Sequence, residues 1–229
     1  RTIFSGKLET NNAQLVDAKK VLKERNDMYE ATNRSYGGAH YYGLFMQGCT
    51  IVPGGFWFVK LKIDPTLGIN PQSPLVTTDE ERGRKKPWDR FVMEDCVEKK
   101  FLFTTVTGSD IVPFYNTQKR LVVLPIDVSD NTTKIVEASD TTGIMEPDMK
   151  NYLTEVEQIF DSMKPASASK MTIYEYVNWQ NKLTNQKPSS FKVLYIGKSK
   201  YLAACVVKGR EKKEFGDQGI SFSINTELI

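Results

Sequence analysis

Residues 48–63 read GCTIVPGGFWFVKLKI, a proline and two glycines followed by an aromatic and β-branched run. Pro53-Gly54-Gly55 has turn chemistry, because proline presets its own φ and glycine tolerates conformations closed to other residues. From Phe56 the alternation Trp57, Val59, Leu61, Ile63 predicts a strand with its large residues on one face. The stretch therefore reads as a tight turn feeding a core strand, and the neighbouring segments must supply its partners.

Outward from this strand, 12–31 is rich in helix formers, with Leu15, Leu22 and Met28 in phase, and predicts an exposed helix with one apolar edge. Residues 33–48 are rich in breakers, with a short turn expected at Leu44–Met46. Residues 64–87 hold four prolines and the charged run DEERGRKK, which predicts a long excursion outside the core. Strands are expected at 97–106 and 120–128, around a turn at 113–118, and a loop or weak hairpin at 127–147. Leu153, Val156, Phe160 and Met163 predict a helix over 152–163. Thr172-Ile173-Tyr174-Glu175 matches a capping box opening a helix that runs to about Leu183. FKVLYIG (191–197) and YLAACVV (201–207) predict a strand pair, and 219–225 one more strand. Helices and strands do not alternate as βαβ units, so the expected class is α+β, a mixed or mostly antiparallel sheet with about three helices. Residues 1–42 are expected to form an N-terminal helical segment and 43–229 the main domain.

The chain has 229 residues, 40% hydrophobic and 11% aromatic, enough for a substantial core. Its 31 basic and 28 acidic residues leave a net charge of only +3, which excludes a polycation that coats nucleic acid by charge alone. Cys49, Cys96 and Cys205 are odd in number and lack CxxC spacing, so neither a disulfide framework nor a zinc site is predicted, and no metal ligand set is expected. No apolar run is long enough for a membrane span and no signal peptide is evident, which points to the cytoplasm. The start at Arg1 without methionine is read as a piece of a longer polypeptide.

His40 is the single histidine. A hydrolytic site built on His40 with Cys49 or Ser35 is the weakest functional reading, since no nucleophile, base and orienting group recur at recognisable spacing. Neither a P-loop nor a dinucleotide fingerprint is present. Three segments have nucleic-acid chemistry. Arg82, Arg84, Lys85, Lys86 and Arg90 surround Trp88, joining phosphate-binding charge to an aromatic face, with Asp79, Glu80, Glu81 and Asp89 close by. Lys99-Lys100 with Lys119-Arg120 form a second basic set that also fits strand-end charge. Asn178, Gln180, Asn181 and Lys182 supply amides of the kind that read adenine edges, beside Trp179; the same residues also fit a helix end whose amides cap neighbouring loops.

Taken in order, GCTIVPGGFWFV (48–59), KPWDRF (86–91) with VEKKFLF (97–103), GSDIVPF (108–114) and VVLPI (122–126), then YVNWQNKL (176–183) and the 191–207 pair resemble one family. It is the region beyond the catalytic half of adenine-specific DNA methyltransferases in restriction–modification enzymes, including fused type I and type IIG polypeptides. The resemblance covers most of the chain from about Gly43. It implies a noncatalytic DNA target-recognition or domain-coupling role, with double-stranded DNA and the missing methyltransferase, nuclease or helicase domains as partners. S-adenosylmethionine is implied for the parent protein and no cofactor for this chain. The [DNS]PP[YFW] motif that positions adenine is absent, so no catalytic residue is expected here. Gly54 stands where the family has a basic residue, and Cys49 where it has alanine. A scaffold that positions neighbouring domains without touching DNA is the alternative.

Overall fold

The computed structural model describes residues 4–7, 14–24, 45–63, 66, 68, 70–81, 86–129, 132–187, 189–197, 203–208, 213–215 and 222–224. The chain divides into two compact units, Arg1–Met46 and Gln47–Ile229.

In the first unit, β1 (Phe4–Ser5) pairs antiparallel with β2 (Lys23–Glu24), and α1 (Leu15–Val21) lies between them in the chain. A Cβ on Gly6 would lie 2.3 Å from the Val21 carbonyl oxygen, so only glycine fits where the helix end meets the ribbon. The helix expected over 12–31 is thus shorter, because Lys23 and Glu24 pair as a strand; residues 25–31 lie outside the described ones.

The second unit is organised around the opening stretch. Gly54–Trp57 does not extend as a strand but forms a helical turn, α2, whose four residues are all buried. β3 (Phe58–Leu61) starts immediately after it and is the middle strand of a five-stranded sheet. On one side β3 pairs with β4 (Leu75–Thr78), which pairs with β5 (Glu94–Cys96). On the other side it pairs with β9 (Arg120–Val123), which pairs with β6 (Leu102–Thr105). All these pairings are antiparallel. β7 (Ile111–Val112) with β8 (Tyr115–Asn116), β10 (Ile126–Ser129) with β11 (Thr132–Ile135), β12 (Phe191–Tyr195) with β13 (Ala204–Lys208), and β14 (Lys213–Phe215) with β15 (Phe222–Ile224) form separate two-stranded ribbons.

The long helix α3 (Pro147–Met163) buries Met149, Tyr152, Leu153, Val156 and Phe160, spaced by three and four residues on one face. Pro147 sits in its first turn, where a missing N–H costs nothing. Its exposed amides are capped from afar: the Glu98 carboxylate accepts from Asp148 N at 2.9 Å and Met149 N at 2.8 Å. Lys100 holds the same end through Glu146 at 2.8 Å. α4 (Ile173–Val177) opens on the predicted capping box, with Glu175 N donating to Thr172 Oγ1 at 3.2 Å and Thr172 N to Glu175 Oε2 at 2.9 Å.

The expectation of about three helices beside a mixed or mostly antiparallel sheet is corrected in its helix count: there are four α-helices among the described residues, accompanied by one five-stranded antiparallel sheet and separate antiparallel ribbons. The extra helix is α2, read from sequence as strand. A short apolar run has no decisive periodicity, and here buried polar partners choose the turn. Thr78 Oγ1 donates to the Gly55 carbonyl at 2.9 Å, the Tyr152 hydroxyl donates to the Phe56 carbonyl, and Trp57 Nε1 donates to Val52 O at 3.3 Å. The 64–87 segment is likewise not wholly outside the core, since β4 lies within it and Val76 is fully buried. The second capped helix stops at Val177 and not near Leu183. The Asn178 side-chain oxygen takes the amides of Leu183 and Thr184, both at 3.1 Å, and bends the chain into a 3-10 turn at Trp179–Asn181.

Removing the Tyr152 hydroxyl (Tyr152→Phe) orphans one buried carbonyl and is expected to cost about 1–3 kcal/mol. Thr78→Val costs more, because Thr78 Oγ1 also accepts from Met93 N at 2.8 Å. Urea unfolding checks both: the midpoint falls in that order with an unchanged slope, and equal midpoints for both variants and the native chain would refute the role given to these bonds.

Candidate nucleic-acid interface

The basic segment meets the helix that precedes the amide segment through aromatic rings. Trp88 lies in a 3-10 turn (Trp88–Arg90) and is only 2% exposed. Its indole stacks on Phe160 at 5.5 Å with an interplanar angle of 11°, lies 6.0 Å from Tyr176, and meets Phe56 edge-on at 6.3 Å. Trp88 is therefore a core residue whose rings face other rings, a correction to its expected role as an open aromatic surface. Burial of this stack, which includes Tyr176 of α4, anchors the turn that carries Lys86 and Arg90, both exposed. Arg82, Arg84 and Lys85 lie outside the described residues.

The amide segment divides by role. Asn178 is half-buried and occupied: besides the two amides it accepts from Thr184 Oγ1 at 3.3 Å, so it serves the loop. Gln180 and Asn181 are exposed at φ 55 and φ 58, consecutive left-handed residues that form the tip of the turn. Trp179 is 47% exposed next to them, and Lys182 is half-buried. Of the predicted contacts in the described residues, Lys86, Arg90, Gln180 and Asn181 thus reach solvent, and Trp88 and Asn178 are spent on the fold.

Two members of the second basic set are also used internally. Arg120 is buried and makes two bonds to Asp110, Nε to Oδ2 at 2.8 Å and Nη2 to Oδ1 at 2.6 Å. Lys100 is bound to the start of α3. Burial raises the Asp110 carboxyl, but the hydrogen bonds from Arg120 and Thr107 outweigh it and leave it near 2, against an ordinary 3.8.

His40 and Ser35 lie outside the described residues. Burial pushes the Cys49 thiol up to about 11, partly offset by its backbone hydrogen bond and by the charge of Lys192. A thiol so placed stays protonated at neutral pH and is a poor nucleophile. Among the described residues no group of three or more histidine, cysteine, aspartate or glutamate side chains is arranged to hold a metal ion, and no helix is long and apolar enough to cross a membrane.

The position at which the resemblance implies a basic residue, Gly54, is buried in α2, so it faces the core. Sequence reasoning passed over Phe191 and Val193, read only as strand residues, although 62% and 68% exposed. The available signal was an apolar residue at nearly every position of FKVLYIG, more than a strand with one buried face requires. Comparison with known proteins found no matching family model, no matching curated protein and no matching solved structure.

The Asp110–Arg120 pair yields a pH prediction with a defined sign. The folded carboxyl lies below its unfolded value, so its contribution is complete above about pH 4 and is lost as pH falls through about 2. Asp110→Asn is expected to lose about 3–5 kcal/mol at neutral pH, because Arg120 stays buried without its counter-charge. Its urea midpoint should also fall less steeply than the native one between pH 4 and 2; parallel curves would show that the pair does not set acid stability.

Proposed function

We propose that the chain is a noncatalytic DNA target-recognition or domain-coupling region of a cytoplasmic restriction–modification enzyme of the adenine-specific DNA methyltransferase kind. Double-stranded DNA and the remaining domains of the parent polypeptide are its partners. Methyl transfer from S-adenosylmethionine belongs to those other domains. One observation carries the reading: most of the segments that resemble this family, although spread from 48 to 183, contribute to one core, while Ile111 and the 191–207 pair form a second, smaller one. Phe56 and Trp57, Trp88, Phe101 to Phe103, Val122 to Leu124, Val177 and Leu183 all belong to the first. A module that transmits recognition to a catalytic domain needs such a rigid body beneath its surface groups.

The Trp88–Tyr176 contact supports DNA contact at one patch, since it joins the basic 86–90 turn to α4, which leads into the left-handed residues Gln180 and Asn181. Lys86 and Arg90, with Arg82, Arg84 and Lys85 of the same run, would meet phosphates; Gln180 and Asn181 would meet base edges. The scaffold reading is favoured by a different observation, the internal use of Trp88 and Asn178, and it keeps the same core with DNA held elsewhere.

Fluorescence anisotropy with labelled duplex DNA separates the two. Binding should weaken with salt, and glutamate at positions 82, 84, 85, 86 and 90 should lower the slope of log affinity against log salt by about 0.9 for each phosphate no longer neutralised. Gln180→Ala with Asn181→Gly should cost about 1–3 kcal/mol on the recognised sequence and little on others. Affinity unchanged in both variants of the full-length enzyme would sink DNA contact here and leave the scaffold.

A further inference from the structure

The β12–β13 ribbon is apolar on both faces, and one of them is covered. Cys205 and Val207 join Ile111 and Ala203 in a small second core, with Leu194 packed against it. Alternation puts the intervening residues on the opposite face. There Phe191 pairs with Lys208, Val193 with Val206 and Tyr195 with Ala204. Phe191, Val193, Tyr195 and Val206 are 62, 68, 41 and 64% exposed. The β7–β8 turn widens this face. Phe114 N–H donates to the Ala204 carbonyl at 2.7 Å, which seats the turn along the edge of β13. Phe114 itself is 95% exposed at φ 68. Because Ile111 points into the second core, its neighbour Val112 and the cross-strand partner Tyr115 fall on the outward side, and both are exposed. A contiguous face of this kind marks a binding surface.

Charge indicates the occupant. Residues 187–213, which carry the ribbon, hold eight of the chain's 31 basic residues and one of its 28 acidic ones, so the remainder of the chain is net acidic. Lys208, paired with Phe191, is exposed at one end of the ribbon, and Lys187 is exposed four residues before β12. A polyanion that also offers flat apolar faces fits both features at once, and a nucleic acid strand with unpaired bases is such a polymer; a duplex hides its base faces in the stack. We propose that the outward face of β12–β13 with the β7–β8 turn is a stacking surface for unpaired nucleotides. Phe114, Phe191 and Tyr195 take base faces, and Lys187 and Lys208 meet phosphates. This rests on the nucleic-acid part of the function proposed above but not on the 82–90 and 178–182 contacts.

The intact chain is titrated against fluorescein-labelled 20-nucleotide single-stranded DNA, RNA of the same sequence, and the matching DNA duplex. A single strand should bind more tightly than the duplex, and the tighter of DNA and RNA identifies the polymer. Phe114→Gly, Phe191→Ala and Tyr195→Ala should each weaken strand binding about tenfold. These residues are exposed, so urea midpoints should remain native. Lys187→Glu with Lys208→Glu should instead lower the salt slope, by about 0.7 for each phosphate released. Ring variants that bind single strands within twofold of the native chain, while duplex binding persists, overturn this inference alone. Absence of binding to any of the three probes overturns it together with DNA contact. A dimer in sedimentation that the ring substitutions dissociate would make the face a self-association surface and also overturn it.

Discussion

The second unit depends on satisfying the backbone of one buried turn. Gly54–Trp57 is wholly removed from water, and an unpaired carbonyl there would cost as much as a sizeable apolar contact contributes. Its partners come from two directions. Thr78 reaches the Gly55 carbonyl from β4, and Tyr152 reaches the Phe56 carbonyl from α3. Sheet and helix are thereby held to a common point by directional bonds, and the nonspecific burial of Phe56, Trp57 and Trp88 acquires a single geometry.

The same constraint governs the charged residues. Glu98 acts as a remote cap, Lys100 steadies the helix it caps, and Arg120 and Asp110 neutralise each other out of solvent. A basic residue in the sequence is therefore a poor guide to a basic surface. In the runs that first look like phosphate binders, 99–100 and 119–120, Lys100 and Arg120 contribute to architecture. The excess positive charge lies instead in residues 187–213, the stretch that carries the β12–β13 ribbon, where two strands expose one of their apolar faces. Composition of the whole chain hides this, because an acidic remainder offsets more than half of it.

Much of the local architecture was legible in the residues. The Thr172–Glu175 capping box, the apolar face of α3 and the 191–207 strand pair follow from spacing and local chemistry, so short windows contain them. What was not legible depends on partners distant in sequence. FWFV divides into helix and strand because Thr78 and Tyr152 select the turn. The start of α3 at Pro147 depends on Glu98. β4 hides in a proline-rich segment because its pairing with β3 outweighs its neighbours' loop chemistry. For the candidate site, Lys86, Arg90, Gln180 and Asn181 reach the surface as composition implied, whereas Trp88 and Asn178 do not. An isolated tryptophan or asparagine carries no mark that distinguishes a surface contact from a core ring or a loop cap.

The Tyr152–Phe56 bond spans 96 residues, and that separation has a temporal side. On a ribosome adding about 5–20 residues per second, the Phe56 carbonyl must wait roughly 5–20 s for its donor to be made. Until then β3 and β4 can pair, but the aromatic turn beside them has no helix to cover it. The nascent sheet therefore passes through an interval with its most apolar surface open, and it is the arrival of α3, not the completion of the strands, that ends its exposure to chaperones and to neighbouring chains.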